Sequence, residues 1–101
     1  MNPVAYIEAQ RHWSGRTFGP GRRTVGITSH IAKELIEIRG APSDLEEWVD
    51  VIILALDGAW RAGHEPAAIV AMLEAKQRKN FARRWPVPQP EHLATEHLKD
   101  A

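Results

Sequence analysis

From Ile27 onward the apolar residues recur at helical spacing. Ile27, Ile31, Leu35 and Ile38 stand four, four and three apart, which is one face of a helix. Glu34 and Glu37 lie off that stripe. Gly40 and Pro42 stop the pattern, and Ser43-Asp44-Leu45-Glu46 then reads as a capping box with Ser43 at N-cap. The helix it opens is expected to run to about Ala62, with Gly63 at its C-terminal end. Trp48, Val49, Val51, Ile52, Ile53, Leu54, Leu56 and Trp60 make that helix apolar on most sides, so it should be central and packed by neighbours or another subunit.

Asn2-Pro3 supplies an N-cap and first helical residue for a short opening helix, ending at about Arg11. Residues 13–26, WSGRTFGPGRRTVG, hold four glycines and a proline and read as a long loop, a feature that in a small domain is usually functional or disordered. A fourth helix is expected from Pro66 to about Arg84, with Ile69, Val70 and Leu73 on its apolar face. Pro86, Pro88 and Pro90 mark an extended segment, and a short helical tail is expected over residues 91–99. No strand shows alternation. The fold reading is an all-α helical bundle, one domain over residues 1–101, completed by oligomerisation because so short a chain buries a limited core.

Composition changes this picture little. Lysine and arginine number 13, aspartate and glutamate 13, so bulk charge points to neither nucleic acid nor a membrane surface. Cysteine is absent, which removes disulfides and thiolate zinc sites. The start lacks a signal-peptide pattern and the longest apolar run is too short to span a bilayer; the expectation is a cytoplasmic protein.

The placement of charge is more informative. Glu34 and Glu37 share one helix face, and Glu47 and Asp50 repeat the spacing on the next helix. A short Gly/Pro connection makes the two helices neighbours, so the four carboxylates can converge. Such a group repels itself unless a hard divalent cation, Mg2+ or Mn2+, sits between the oxygens. Asp50 falls within WVDVIILAL, where an unpaired charge is costly. Asp57, two turns on, reads as a further ligand or a support for one. Glu46 is reserved for capping. Lys76, Asn80 and Arg83 align on the fourth helix, with Lys79 beside them, in a set suited to phosphate oxygens. The basic stretch is short and lacks interleaved aromatics, which argues against nucleic acid. The five histidines form no metal motif, and no Walker A or GxSxG sequence occurs.

ELIE at residues 34–37 followed by EWVD at 47–50 resembles the ExxE…ExxD motif of the all-α nucleoside triphosphate pyrophosphohydrolases, the MazG-like superfamily, although the gap between the pairs is shorter. More specifically, RTFGPGRRTVGITSHIAKELIEI, DLEEWVDVIILALDGAWRAG, KQRKNFARRWP and ATEHL resemble, in order, the dATP/dGTP diphosphohydrolase family of the MazZ type found in bacteriophages. The resemblance implies Glu34, Glu37, Glu47 and Asp50 as metal ligands, and Lys76, Asn80 and Arg83 near a triphosphate. It implies release of pyrophosphate and a nucleoside monophosphate, from dGTP where phages make 2-aminoadenine DNA, by dimers or tetramers.

The mechanism then expected uses two or three metal ions, a water whose pKa a metal lowers, and Glu34 or Glu37 to orient or deprotonate that water. Trp13 or Phe18 would stack on the purine, and Arg16, Thr17, Lys33, Lys76, Lys79, Asn80 and Arg83 complete the expected substrate contacts. Two other readings stand beside it: a housekeeping hydrolase of non-standard nucleotides, and a helical interaction module without catalysis.

Overall fold

The computed structural model describes residues 2–99. Four helices follow one another: α1 (Pro3–Phe18), α2 (Thr24–Gly40), α3 (Leu45–Arg61) and α4 (Pro66–Ala82). No strand occurs among the described residues, so the all-α reading holds. The chain divides into two compact units, Met1–Val70 and Ala71–Ala101.

In the first unit α3 packs on both α2 and α1. Pairings fix the directions. The N-terminal part of α2 meets the C-terminal part of α3, where Ile27 lies against Gly58. The C-terminal Glu34 and Glu37 meet Glu47 at the start of α3. These helices are therefore antiparallel. Helix α1 runs parallel to α3, because Gln10 pairs with Ile53 and Ser14 with Asp57 at the same offset of 43 residues.

Helix α1 is longer than the sequence suggests. It opens as expected, with the Asn2 side chain accepting from the Ala5 amide at 2.8 Å and Pro3 at its first position, but continues through Ser14 and Gly15 to Phe18. Those residues are weak helix formers, and here contacts with α3 compensate. The true loop shrinks to residues 19–23, where Gly19 and Gly21 take φ of +89° and +88°, open to glycine at no steric cost. Trp13 and Phe18 therefore project from a helix rather than a loop. Helix α3 is capped one residue later than expected. Asp44, not Ser43, is the N-cap, and accepts from the Glu46 amide at 3.0 Å. Gly63, φ +109°, follows the C-cap Ala62.

The interior is unusual. Ile7, Ile27 and Ile38 form the apolar core of the described residues, yet Gln10, Ser14, Glu34, Asp57 and Arg61 are buried too. On α2 the buried stripe runs Ile27, Glu34, Ile38, with Leu35 half exposed. Glu34 thus occupies the inward position that the spacing assigned to Leu35.

In the second unit the remainder of α4 is almost wholly exposed. Helix α4 ends at Ala82, where the Arg83 amide still reaches the Lys79 carbonyl at 3.1 Å. Residues 91–99 form a turn followed by irregular chain rather than the expected helix. A segment that short lacks the length to offset the entropy of nucleation.

Candidate metal centre and adjoining cavity

The carboxylates converge between α2 and α3. Glu34, Glu37 and Glu47 each offer an oxygen, and the three oxygens lie within 4.8 Å of one another. Glu34 is 6% exposed. Its Oε1 is paired with His30 Nε2 at 3.1 Å, one turn earlier on α2, while its Oε2 is buried with no partner. Glu47 Oε2 is likewise buried and unpartnered. Glu37 is the exposed member.

Crowding moves their protons. The adjoining Glu37 carboxylate, then burial, then the nearby charge of Asp50 raise the pKa of Glu34. Glu47 is pushed up to about 7, first by its hydrogen bond to Glu37 and then by burial and repulsion. Glu37 is held below the usual carboxylate range by the adjoining Glu34 and Glu47 carboxyls, with Lys33 and His30 contributing. Without a cation, the raised pKa of Glu47 favours a proton on the group up to about neutral pH. Buried oxygens without partners and an all-oxygen donor set fit a hard divalent cation, which would take the proton's place. The three acidic residues can therefore bind a metal.

Asp50 stands outside this tight group. It is half-buried one turn further along α3 and lines a cavity of about 370 Å³ between the three helices, as do Glu34 and His30. Trp13, Phe18, Ile27 and Leu54 give the same cavity apolar walls. The Trp13 and Phe18 rings meet edge to face, 5.5 Å apart at 88°. Arg23 lies beside Phe18, its guanidinium 5.8 Å from the ring and donating to the Phe18 carbonyl at 3.2 Å.

Asp57 lines the same cavity and is held in a buried network. Its carboxylate accepts from Arg61 Nε at 3.2 Å and from Ser14 Oγ at 2.9 Å, so it already has a cation. Arg61 also donates through Nη1 to the carbonyls of Gly19 and Gly21, at 2.8 and 2.9 Å, and through Nη2 to Ser14 O and Oγ, at 3.3 and 3.0 Å. All five guanidinium N–H groups are used. One buried arginine ties the glycine loop and α1 to α3.

The other expected residues scatter. Lys33 is exposed, near enough to Glu37 to lower its pKa. Arg16 and Thr17 are exposed on α1, and Arg16 lines a shallow surface hollow with Glu8, His12 and Trp60 rather than the acidic cavity. In the second unit Arg83 Nη1 donates to Asn80 Oδ1 at 3.1 Å, and the Asn80 carbonyl accepts from Trp85 Nε1 at 2.8 Å. Lys79 and Arg83 line a pocket there with Arg84 and His97, and Lys76 is exposed. Sequence reasoning missed Gln10, Ser14, Arg23 and Arg61. The i,i+4 pairing of Asp57 with Arg61 was the one available signal for the network; nothing comparable marked Gln10.

Among the described residues, no helix is long and apolar enough to cross a membrane. Comparison with curated proteins and with solved structures gives no match. The profile of the dATP/dGTP pyrophosphohydrolases matches residues 6–101, taking in α1 from Tyr6 onward, the other three helices and every residue of the carboxylate group. With that span, the chain belongs to the dATP/dGTP pyrophosphohydrolase family.

Proposed function

We propose that the chain hydrolyses a purine deoxynucleoside triphosphate between its α and β phosphates, with Mg2+ or Mn2+ held by Glu34, Glu37 and Glu47 and assisted by Asp50. The observation that carries this reading is the set of three carboxylates within 4.8 Å, two of them with buried, unpartnered oxygens, beside a cavity with aromatic walls. Water adds across the α–β bond; the α-phosphorus gains the hydroxyl and pyrophosphate leaves. When bound, the cations would supply an acidified water and offset charge on the leaving pyrophosphate.

The chain's own residues set the stage for this. His30 fixes Glu34 by its Oε1, leaving Oε2 as the ligand atom. Glu47, with its pKa near 7, gives up its proton readily as a cation enters and is the natural carrier of a proton near neutral pH. Trp13 and Phe18 offer ring faces to the base and keep water from that wall. Lys76, Lys79, Asn80 and Arg83 suit phosphate oxygens by their chemistry, an assignment that rests on the sequence. The MazZ-type resemblance extends the proposal to dGTP and to supply of 2-aminoadenine DNA in a phage-infected cell. The exposed Ile36, Leu45, Trp48 and Ile52 support self-association of the first unit.

Pyrophosphate release with Mg2+ and dGTP or dATP tests the reading. Glu37→Gln and Asp50→Asn are expected to lower turnover by about 100-fold or more. Near-normal turnover in both would refute the site.

A further inference from the structure

Gln10 sits on the inward stripe of α1 between Ile7 and Ser14 and is 9% exposed. Its Nε2 donates to the Ile53 carbonyl of α3 at 2.8 Å. A carbonyl only accepts, so this bond settles which end of the amide is which. Oε1 is the remaining end, and it is buried without a partner. Gln10 and Ile53 both line the 370 Å³ cavity that Trp13, Phe18, Glu34 and Asp50 also line.

An acceptor buried and left unpaired costs about 1–3 kcal/mol. Leucine or methionine would fill the same space without that penalty. Oε1 itself has almost no open surface, and the amide is explained if a ligand entering the cavity shifts the wall around Oε1 and brings a donor to it. The walls say what kind of ligand. Aromatic rings favour a flat heteroaromatic group, and the carboxylates lining the same cavity suit the cation that would accompany its phosphates.

We propose that Gln10 is a specificity-determining residue. Its Oε1 accepts an N–H from the Watson–Crick edge of the base, the exocyclic amine of adenine or the N1–H or amine of guanine. This inference rests on the proposed reading of the carboxylate group as a nucleotide-hydrolysing site, and it assigns the base to the cavity between α1, α2 and α3.

The test varies substrate and residue together. The unsubstituted purine deoxyribonucleoside triphosphate has no donor on that edge. The wild-type protein is expected to show kcat/KM at least about tenfold higher for the better of dATP and dGTP than for the unsubstituted analogue. In Gln10→Met that preference is expected to fall close to one, through a higher KM for the natural substrate and little change for the analogue. A packing defect would lower both substrates alike and leave the ratio in place. Equal use of the analogue by the wild type, or an undiminished preference in Gln10→Met, overturns the proposal and leaves Oε1 to a bound water. If Gln10→Met does not fold, the wild-type comparison decides alone. If the wild type releases no pyrophosphate from any triphosphate, the functional reading fails separately. Calorimetric binding of deoxyadenosine and deoxyguanosine against the unsubstituted purine deoxyriboside then decides on Gln10, with equal affinities counting against it.

Discussion

Arg61 offers the sharpest test of how the first unit is held together. Its side chain is 1% exposed. It makes five hydrogen bonds, to Asp57, Gly19, Gly21 and both oxygens of Ser14, and its guanidinium carbon lies 4.5 Å from the Trp60 ring centre. Arg61→Met keeps most of the volume and removes every donor. Asp57, whose side chain is 12% exposed, then keeps Ser14 Oγ and loses its countercharge. Breaking a buried pair from one side costs about 3–5 kcal/mol, out of a total of about 5–15 kcal/mol for a typical domain. The melting temperature should fall by roughly 15–30 °C for a domain of this size.

Urea unfolding followed by circular dichroism, at fixed protein concentration, measures the change. Arg61→Lys separates the two parts of the role. An ammonium can still neutralise Asp57, but it cannot reach Ser14 and both glycine carbonyls at once. It should recover less than half of the loss. Asp57→Asn combined with Arg61→Met should cost less than the sum of the two single changes by about 1–3 kcal/mol. A loss below about 1 kcal/mol in Arg61→Met, or strict additivity in the double variant, would show that the glycine loop is held by something other than this arginine.

Three further outcomes follow from the carboxylates and the cavity. Without divalent cations, stability should fall as pH rises from about 4.5 through about 7, because Glu34 and Glu47 bind protons more tightly folded than unfolded. Glu37 has the opposite sign and adds a loss only as pH falls below the ordinary glutamate range; thermal melts across pH with a chelator check both limbs, and saturating Mg2+ should abolish the upper one. Glu47→Gln should raise the melting temperature of the cation-free protein above neutral pH and flatten its pH dependence, while lowering pyrophosphate release by about 100-fold or more; an unaltered pH profile would contradict the proton-sharing arrangement. Phe18→Ala removes a half-exposed ring (49%) and should raise KM for the purine nucleotide roughly tenfold with a stability loss of about 1 kcal/mol; a larger effect on unfolding than on KM would reduce Phe18 to an anchor for Trp13.

Much of this was legible in the chain, for identifiable reasons. Gly40, Pro42 and the acidic start of α3 mark the α2–α3 turn, and the two i,i+3 acid pairs flank it, so the carboxylate group follows from local sequence. The length of α1 does not. Ser14 and Gly15 argue for a loop on propensity, while the bonds that tie Ser14 to α3 come from Asp57 and Arg61, more than forty residues away. The buried stripe of α1 is Ile7, Gln10 and Ser14, which a search for apolar periodicity cannot find because two of its three members are polar. The same blindness assigned the inward place on α2 to Leu35 rather than Glu34. Asp57 stood between ligand and supporting group because its spacing from Asp50 suits either, and its pairing with Arg61 and Ser14 shows only in the structure.

These exceptions share a cause that bears on how the protein works. Charge runs along the face of α3 toward its neighbours, at Glu47, Asp50, Asp57 and Arg61, with Ile53, Leu54 and Gly58 among them. A small bundle with charge in its seam forgoes much of the burial that would ordinarily stabilise it, at about 1.5–3 kcal/mol for each large apolar side chain. The large residues of these helices point elsewhere: Ile36 and Leu45 are 73% exposed, Ile52 57% and Trp48 49%. The seam therefore holds by the Arg61 network at one end and, in the proposed reading, by a cation at the other. The outer apolar faces await a cover, for which a second copy of the chain is the proposed source. On this account cation, nucleotide and partner each add to folding stability as well as to catalysis. Raising protein concentration and adding Mg2+ should then raise the melting temperature independently, because they act on opposite faces of the same helices.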